Sequence, residues 1–479
     1  MKKEVQQGVT VKKSENFSEW YTQSVLKADL IDYGPVSGCL IFKPGSYSLW
    51  EGAQEYFDKK IKKDGVKNVY FPLLIPEKLL KKESDHVEGF APEVAWVTQT
   101  GDTKLNEKLA IRPTSETIMY DSYSKWIRSW KDLPLRYNQW CNVVRWEFKH
   151  AVPFLRTREF LWQEGHTVFA TKKEADKEAK KILGFYADVY EDLYAVPVLR
   201  GIKSEKEKFA GADYSLSVET LLPNGKAIQG ATSHHLGQNF SKPFNIKFIG
   251  EDEKPQYAWQ NSWGFSTRSL GVMLAIHGDD KGLVLPPKIA TNKIVVVPIL
   301  FKNKSEKVMK FSKDIFKKLK KFSPIFDDRE DYSAGWKFNE WELKGIPLRL
   351  EVGPKDVEKK QVVLVRRDTG EKEFVKVGKV VDRITSLLVE IQKDMFEKAK
   401  KYLDRSIISV DSIKKLKDVV EEGWIGKVEW CGNVKCEANI KDKTSAKSLN
   451  SSFDEKPKTG KCFACEAEAK FVTYFAKSY

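Results

Sequence analysis

No run in the chain approaches the roughly 18 consecutive apolar residues that a membrane-crossing helix needs. The opening MKKEVQQGVTVKKSENF carries basic residues but no apolar core of a secretory leader, so a soluble protein of the cytoplasm is expected. Cysteine is scarce: six among 479 residues, too few for a disulfide framework. Cys39 and Cys141 stand alone and read as buried small hydrophobes, while the other four lie together beyond residue 430. No internal repeat is present, so a repeat array is not expected. The segment beyond residue 287 holds neither GxGxxG nor GxxxxGK followed by Ser or Thr, which removes the usual support for nucleotide binding by a glycine-rich loop there.

The chain is instead long, aromatic and basic. Its 479 residues exceed one ordinary core, so two to four domains are expected. A hydrophobic share of 41% with 14 Trp, 17 Tyr and 27 Phe suffices for globular folding. The formal charge of +15 is spread along the chain rather than confined to a tail, which suits an extended polyanion as partner.

In chain order, residues 14–33 read as a helix with Phe17, Trp20, Tyr21, Ser24 and Val25 on one stripe. Trp50, Ala53, Phe57 and Ile61 recur at helical spacing between Tyr47 and Lys63, with lysines toward the C-terminal end. The following VKNVYFPLLIP reads as a strand interrupted at Pro72. AIRPTSETIMY, 110–120, reads as a strand end, a turn and a helix capped by Thr114 or Ser115; Glu116 then sits where a helix dipole alone would favour a carboxylate. A long helix is expected over 172–194, strands over 216–221 and 226–229, and a strand turning into a helix over 259–279, with Arg268 near its start. The adjacent His234 and His235 have no acidic or cysteine partner at ligand spacing, so packing or hydrogen bonding is favoured over a metal. Paired Pro286 and Pro287 mark a domain boundary. Beyond it, strands at 294–300, 324–326, 346–352 and 361–367 alternate with helices at 304–321, around 336–343 and at 380–399, an α/β pattern. Near the end, Cys431-x4-Cys436 and Cys462-x2-Cys465 suit tetrahedral zinc, and the Lys/Ser-rich 441–461 between them reads as a mobile loop.

The most informative stretch runs from Arg145 to His166. As a hairpin it would place Arg145 and Glu147 on one side and Trp146 and Phe148 on the other. On the return, Arg156, Arg158, Phe160, Trp162, Glu164 and His166 alternate with Thr157, Glu159, Leu161, Gln163 and Gly165. A solvated sheet face would explain the charge but not the aromatics among it. Guanidinium forks suit phosphates or carboxylates, and aromatic planes suit a base, so a pocket for a nucleotide beside a small zwitterion is expected.

With these residues placed, the chain resembles the class II aminoacyl-tRNA synthetases, and its order of motifs resembles the prolyl-tRNA synthetase family of the archaeal and eukaryotic type. The Tyr47 helix with the Pro72 strand resembles motif 1, a dimer interface in that family; Arg145 to Glu164 resembles motif 2; and GFSTR, Gly264 to Arg268, resembles motif 3. The Thr114–Glu116 loop, WQEGHT, GATSHHLGQNF, the four-cysteine module and Tyr479 match the prolyl branch. About a hundred residues separate motifs 2 and 3, so the large editing insertion of the bacterial type is expected to be absent. The resemblance implies an antiparallel α+β catalytic domain over 1–286, an α/β anticodon-binding domain over 287–397 and a zinc domain over 398–479. It also implies a homodimer that joins L-proline to tRNA(Pro) through a prolyl-adenylate, using ATP with magnesium.

By position, Arg145 would bridge the substrate carboxylate and the ATP α-phosphate, Arg156 would hold the outer phosphates, and Phe160 and Arg268 would sandwich the adenine. Glu147, Gln229 and Thr232 would complete the nucleotide site. Thr114 and Glu116 would take the secondary ammonium of proline, while Trp162, Glu164, His166, Phe209 and His234 would shape its pocket. Glu219 would ligate magnesium. Arg349, Lys355 and Arg366, on a basic strand pair and its connection, are the expected anticodon contacts. Two other readings remain open at this stage: a class II synthetase for threonine, glycine, serine or histidine, and a non-catalytic tRNA-binding paralogue. The cysteines lie far from the motifs, unlike a pocket zinc of the threonine type, and the motif arginines are all present.

Overall fold

The computed structural model describes residues 8–84, 93–147, 150–300 and 305–479. Phe148 and position 304, where a helix is expected to start, lie outside them. The N-terminal helix α1, Phe17–Lys27, starts at Asn16, whose side chain accepts from the Glu19 amide, and it buries Trp20, Tyr21, Ser24 and Val25. Helix α2, Pro44–Lys63, has proline at its first turn, where no amide partner is needed, and ends in lysines that complement its dipole. Its buried stripe of Trp50, Ala53, Phe57 and Ile61 is the one expected. The run after Gly65 divides at Pro72: β1, Lys67–Asn68, joins the main sheet, and Leu74–Pro76 pairs in a separate three-stranded sheet.

The main sheet contains β2 (Leu135–Val144), β3 (Glu159–Phe169), β4 (Leu199–Ile202), β5 (Tyr214–Leu221), β6 (Ala227–Gly237) and β7 (Trp259–Ser266). These six strands are antiparallel, in the order β4-β5-β6-β7-β3-β2. Helix α3, Glu116–Trp126, precedes them; α4, Lys172–Asp188, and α5, Arg268–His277, lie within the same domain. One face is covered by α2 and α4: Phe57 stacks on Tyr186 with centroids 5.1 Å apart, and Tyr186 donates to Gln163 on β3 at 2.9 Å. Because successive side chains on a strand point oppositely, Gln163 facing the helices turns Trp162, Glu164 and His166 to the other face.

The remaining domains attach differently. A mixed sheet of β8 (Ile294–Pro298), β9 (Ile325–Phe326), β10 (Leu348–Val352), β11 (Gln361–Arg366) and β12 (Lys372–Lys376) matches the α/β pattern, with β8 parallel to β9 and β10 and the rest antiparallel. The strand at β12 was not expected: Lys372, Phe374 and Lys376 give it little apolar pattern, and Phe374 is exposed. Helix α6, Val380–Arg405, runs unbroken through residue 397, so the expected boundary there is not a break in the fold. Beyond it, β13 (Ile407–Ser409), β14 (Ile425–Trp430), helix α7 (Val434–Thr444), β15 (Lys447–Ser452) and β16 (Phe471–Ala476) complete the chain.

Those last four strands extend the catalytic sheet. β15 pairs with β4 through Ser451 opposite Ile202 and Ser452 opposite Gly201, giving an eleven-stranded sheet in the order β13-β14-β16-β15-β4-β5-β6-β7-β3-β2-β1 among the described residues. The expected mobile loop at 441–461 is therefore corrected: it begins in α7 and contains β15, whose Leu449, Asn450 and Ser451 are buried. A chain rich in Lys and Ser can still pair when its neighbours satisfy the hydroxyls, as Thr473 does for Ser451 at 2.8 Å.

The seam requires glycine at 201, where a Cβ would lie 2.2 Å from the Ser451 carbonyl oxygen. Gly201→Ala is expected to destabilise this junction by about 1–3 kcal/mol, the usual cost of overpacking. Limited proteolysis should then release the 413–479 region sooner than in the parent; equal resistance would show that the seam does not carry the attachment.

Candidate active site

The open face of the sheet forms a cavity of about 590 Å³. Thr114, Glu116, Arg145, Glu147, Phe160, Trp162, Glu164, His166, Phe209, Gln229, Thr232, His234 and Arg268 all line it. They come from the loop before α3, the β2–β3 connection, β3, the loop before β5, β6 and α5. Period two on β3 and β6 explains the alternating contributions.

One end is anionic and nearly dry. Thr114 and Glu116 are 8% and 6% exposed, and the threonine hydroxyl donates to the Glu116 carboxylate. Ser115 is the residue before the helix, yet its hydroxyl makes no cap; it donates to Glu164, as does its amide at 3.0 Å. His166 Nε2 lies 2.9 Å from the same carboxylate and Nδ1 lies 3.1 Å from the Tyr120 hydroxyl. Burial opposes charge on both members of the pair, but their mutual hydrogen bond, with Ser115 and Glu116 adding to it, holds Glu164 below and His166 above its ordinary value. Each member of the pair therefore favours the charged form of the other. Ligand atoms of Glu116, Glu164 and His166 lie within 4.8 Å of one another. Of the two carboxylates, Glu164 is the one hydrogen-bonded to His166, while Glu116 accepts from Thr114. His234 is pushed down to about 3 by burial and then by Lys203 and His166, and it stays neutral, 2.7 Å from the Ser215 hydroxyl. His235, one residue on, points to the opposite face, stacks on Tyr214 and lies 3.5 and 3.6 Å from carboxylate oxygens of Asp176 and Asp213, acidic neighbours that sequence spacing did not show.

The other end is cationic. Arg145 donates to the Pro113 carbonyl at 3.0 Å and lies over Phe160 and Trp162, 5.6 and 5.2 Å from their centroids. Arg268 donates to the Leu155 carbonyl at 3.0 Å. Burial, then its neighbours Arg145 and Arg156, hold its guanidinium below the ordinary value. Guanidiniums gathered this closely without matching carboxylates are a site for a polyanion.

Glu147 keeps its place in the lining, although it is exposed and lies beyond the end of β2, which stops at Val144. Several other expectations are corrected. Arg158 leaves the working face: it donates to the Ser37 carbonyl at 3.0 Å and lies over Trp146 at 4.5 Å, since β3 starts only at Glu159. Arg156 does not line the cavity; it donates to the Tyr479 backbone oxygen at 3.0 Å, although its charge reaches Arg268. Glu219 is not poised as a magnesium ligand, for it is buried and accepts from Lys203 at 2.9 Å. Arg349 is buried between Glu351 and Glu342, and Arg366 is paired with Asp368 and Asp394; of the three expected anticodon contacts, Lys355 is the exposed one. Cys39 and Cys141 are half-buried rather than enclosed. Sequence reading missed Lys203, Ser115, Gln139 and Tyr120, whose partners are set by tertiary contact across tens of residues.

The four terminal cysteines converge. Cys431 and Cys465 Sγ atoms lie 3.6 Å apart, Cys436 and Cys462 lie 3.9 Å apart, and all four fall within 4.8 Å of one another. A tetrahedron of sulfurs about 2.3 Å from zinc has edges of about 3.8 Å, so the donor set fits a closed structural zinc site. No described helix is long and apolar enough to cross a membrane.

The antiparallel sheet with its arginine and aromatic lining defines a class II aminoacyl-tRNA synthetase core. Residues 96–277 match the family described as tRNA synthetase class II core domain (G, H, P, S and T), 293–387 an anticodon binding domain, and 413–479 the prolyl-tRNA synthetase C-terminal family. The chain is 49% identical to a proline–tRNA ligase of Natranaerobius thermophilus over 97% of each chain. It is also 49% identical to a cytoplasmic proline–tRNA ligase of Arabidopsis thaliana, over 100% of this chain and 92% of that one. A solved prolyl-tRNA synthetase of Cryptosporidium parvum, complexed with halofuginone and AMPPNP, superposes with a TM-score of 0.96 at 48% identity over 99% and 100% of the two chains. The chain belongs to the prolyl-tRNA synthetase family.

Glu116→Gln keeps the shape of the anionic end but removes one carboxylate from it. A charge-assisted hydrogen bond contributes roughly 1.5–3 kcal/mol, so KM for proline is expected to rise about ten- to a hundredfold while KM for ATP changes little. An unchanged proline KM would reduce Glu116 to a helix-start carboxylate. Removing zinc by chelation should loosen residues 425–479, read as faster amide exchange there, and elemental analysis of reduced protein should find one zinc per chain. Absence of zinc from freshly purified reduced protein would overturn the metal assignment.

Proposed function

We propose that this chain ligates L-proline to tRNA(Pro) in two steps at the described cavity. Proline and ATP first give prolyl-adenylate and pyrophosphate; the prolyl group then passes to the terminal 3′-hydroxyl of the tRNA, releasing AMP. The observation that carries the reading is the juxtaposition, in one cavity, of a dry end with the Glu116 carboxylate and an end built from Arg145, Arg268 and Phe160. The first matches a secondary ammonium and the second a nucleotide phosphate chain.

The proline carboxylate is ionised at neutral pH and can attack the α-phosphorus without a protein base. A carboxylate oxygen forms the new bond as the bond to pyrophosphate breaks. Arg145 faces both the amino-acid side, through Trp162, and the nucleotide side, through Phe160, and so aligns the two reactants. Arg268, with Phe160, would hold the adenine, and the fixed guanidiniums offset charge that develops on phosphate. Magnesium brought with ATP would neutralise the outer phosphates. Gln229 and Thr232 on β6 complete the nucleotide side, and Trp162, Phe209 and neutral His234 enclose the pyrrolidine ring.

The three functional regions are taken as 1–286, 287–397 and 398–479, with α6 as the continuous spine between the second and third. The middle one would read the anticodon, with Lys355 as the accessible candidate. Exposed Tyr70, Leu74 and Trp96 cluster in and around the motif 1 segments and support a homodimer interface. A cytoplasmic location accords with the Arabidopsis relative's description. Purified protein is expected to catalyse ATP–pyrophosphate exchange that depends on proline and not on threonine, glycine, serine or histidine. Exchange with one of those, or with none, would overturn the reading.

A further inference from the structure

Lys203 is placed by the zinc module rather than by its own domain alone. It follows β4 and lines the cavity, its side chain is 9% exposed, and its ammonium donates to Glu219 at 2.9 Å and to the Leu449 carbonyl on β15 at 3.1 Å. The next residue, Ser204, donates to Glu437 at 2.9 Å, and Ser448 lies 2.6 Å from the same carboxylate oxygen and 3.1 Å from the Ser204 hydroxyl. Glu437 is buried and immediately follows the cysteine at 436 on α7. Asn450 adds bonds from its amide to the Leu199 and Ser217 carbonyls at 3.1 and 3.3 Å. Buried polar contacts therefore tie Lys203 and Ser204 to β15 and to Glu437, the chain neighbour of Cys436.

We infer that Lys203 is a positioning residue for proline activation, fixing the Glu219 carboxylate and a positive charge at the boundary between the two subsites, and that the zinc module sets its position. The boundary is located by two neighbours: the Lys203 amide donates at 2.8 Å to the carbonyl of Ser215, whose hydroxyl lies 2.7 Å from His234 on the proline side, and Glu219 lies opposite Gln229 of the nucleotide side in the β5–β6 register. A buried carboxylate left without its cation would be strongly disfavoured and would draw on the nearest alternative, Arg268. Losing Lys203 would thus disturb the nucleotide-holding arginine without touching it. The inference rests on the proposed activation of proline in this cavity.

Lys203→Met keeps length and removes the charge, whereas Lys203→Arg keeps the charge. The methionine variant is expected to lose about ten- to a hundredfold in kcat of proline-dependent pyrophosphate exchange, at unchanged zinc content and with KM for proline moved less than kcat. The arginine variant should recover most of that loss, which a merely structural lysine would not require. Independently of activity, Glu437→Ala should retain zinc yet speed amide exchange across residues 199–205, as should chelation of the parent. Parent-like kcat in Lys203→Met would overturn the positioning role, and unaltered exchange over 199–205 in both perturbations would overturn the link to the zinc module. If the parent itself showed no proline-dependent exchange, the functional reading would fail while the exchange measurement still tested the link.

Discussion

The site depends on one buried carboxylate. Glu164 sits 2% exposed in the middle of β3, where an unpaired charge would not be tolerated. It is stabilised by the Ser115 amide and hydroxyl, by Gln139 from β2 at 3.2 Å and by His166 two residues along its own strand. Arg112, fully buried and held by the Phe71 and Asn142 carbonyls, adds its field. These partners come from the loop before α3, from β2 and from β3, so satisfying one charge locks three elements in register. The start of α3 follows from this: Ser115 spends its hydroxyl on Glu164 instead of capping the helix, and Glu116 accepts from Thr114.

That arrangement explains how a cavity can hold an ammonium at one end and phosphates at the other. Glu164 is hydrogen-bonded to His166, so Glu116 is the carboxylate of the dry end whose own bond comes from Thr114. At the opposite end Arg145 and Arg268 donate to backbone carbonyls, and Glu219, a buried acid whose charge reaches Arg268, is engaged by Lys203. On the proposed reading, selectivity for proline would come from geometry around that carboxylate: a secondary ammonium oriented by Thr114 and Glu116, and a ring enclosed by Trp162, Phe209 and a histidine kept neutral by burial. An apolar pocket separates ligands differing by one methylene by only about 1–3 kcal/mol, so the oriented charge has to contribute as well.

Period and type of residue were enough to read the Arg145–His166 part of this site from the chain, and the resemblance supplied the rest. Trp162, Glu164 and His166 share a face because β3 is regular, and the amphipathic stripe of α2 specifies which face the helices cover. Arg156 and Arg158 were misplaced because period two was carried back past the start of β3 at Glu159, into a connection where alternation no longer fixes direction. Spacing also brought the four cysteines together correctly, because two close pairs constrain their own geometry. What spacing could not supply was pairing between distant segments. Nothing local marks Glu219 as the partner of Lys203, or Arg349 as buried between Glu342 and Glu351; each looks equally available in the sequence, and only tertiary neighbours decide which charges remain free. The resemblance to the prolyl family located β6 and Arg268 in the site, where a lone arginine before an apolar helix would otherwise read as a surface residue.

The last constraint is the continuity of the sheet. A small zinc module tethered by a flexible linker could fold without affecting catalysis, but here β15 is hydrogen-bonded to β4 and the final residues return to the catalytic domain. Ala227 at the start of β6 donates to the Lys477 carbonyl at 2.8 Å, and Tyr479 donates back to Ala227 at 2.9 Å. The Tyr479 ring lies between Lys226 and Arg156, 5.6 and 5.9 Å from their charged atoms. The C-terminal module therefore holds the catalytic domain at two places, the strand that leads to Lys203 and the strand that carries Gln229 and Thr232. An element anchored at both cannot shift without moving side chains on the nucleotide side and at the subsite boundary together, which gives a structural metal a mechanical route to a reaction in which it takes no chemical part.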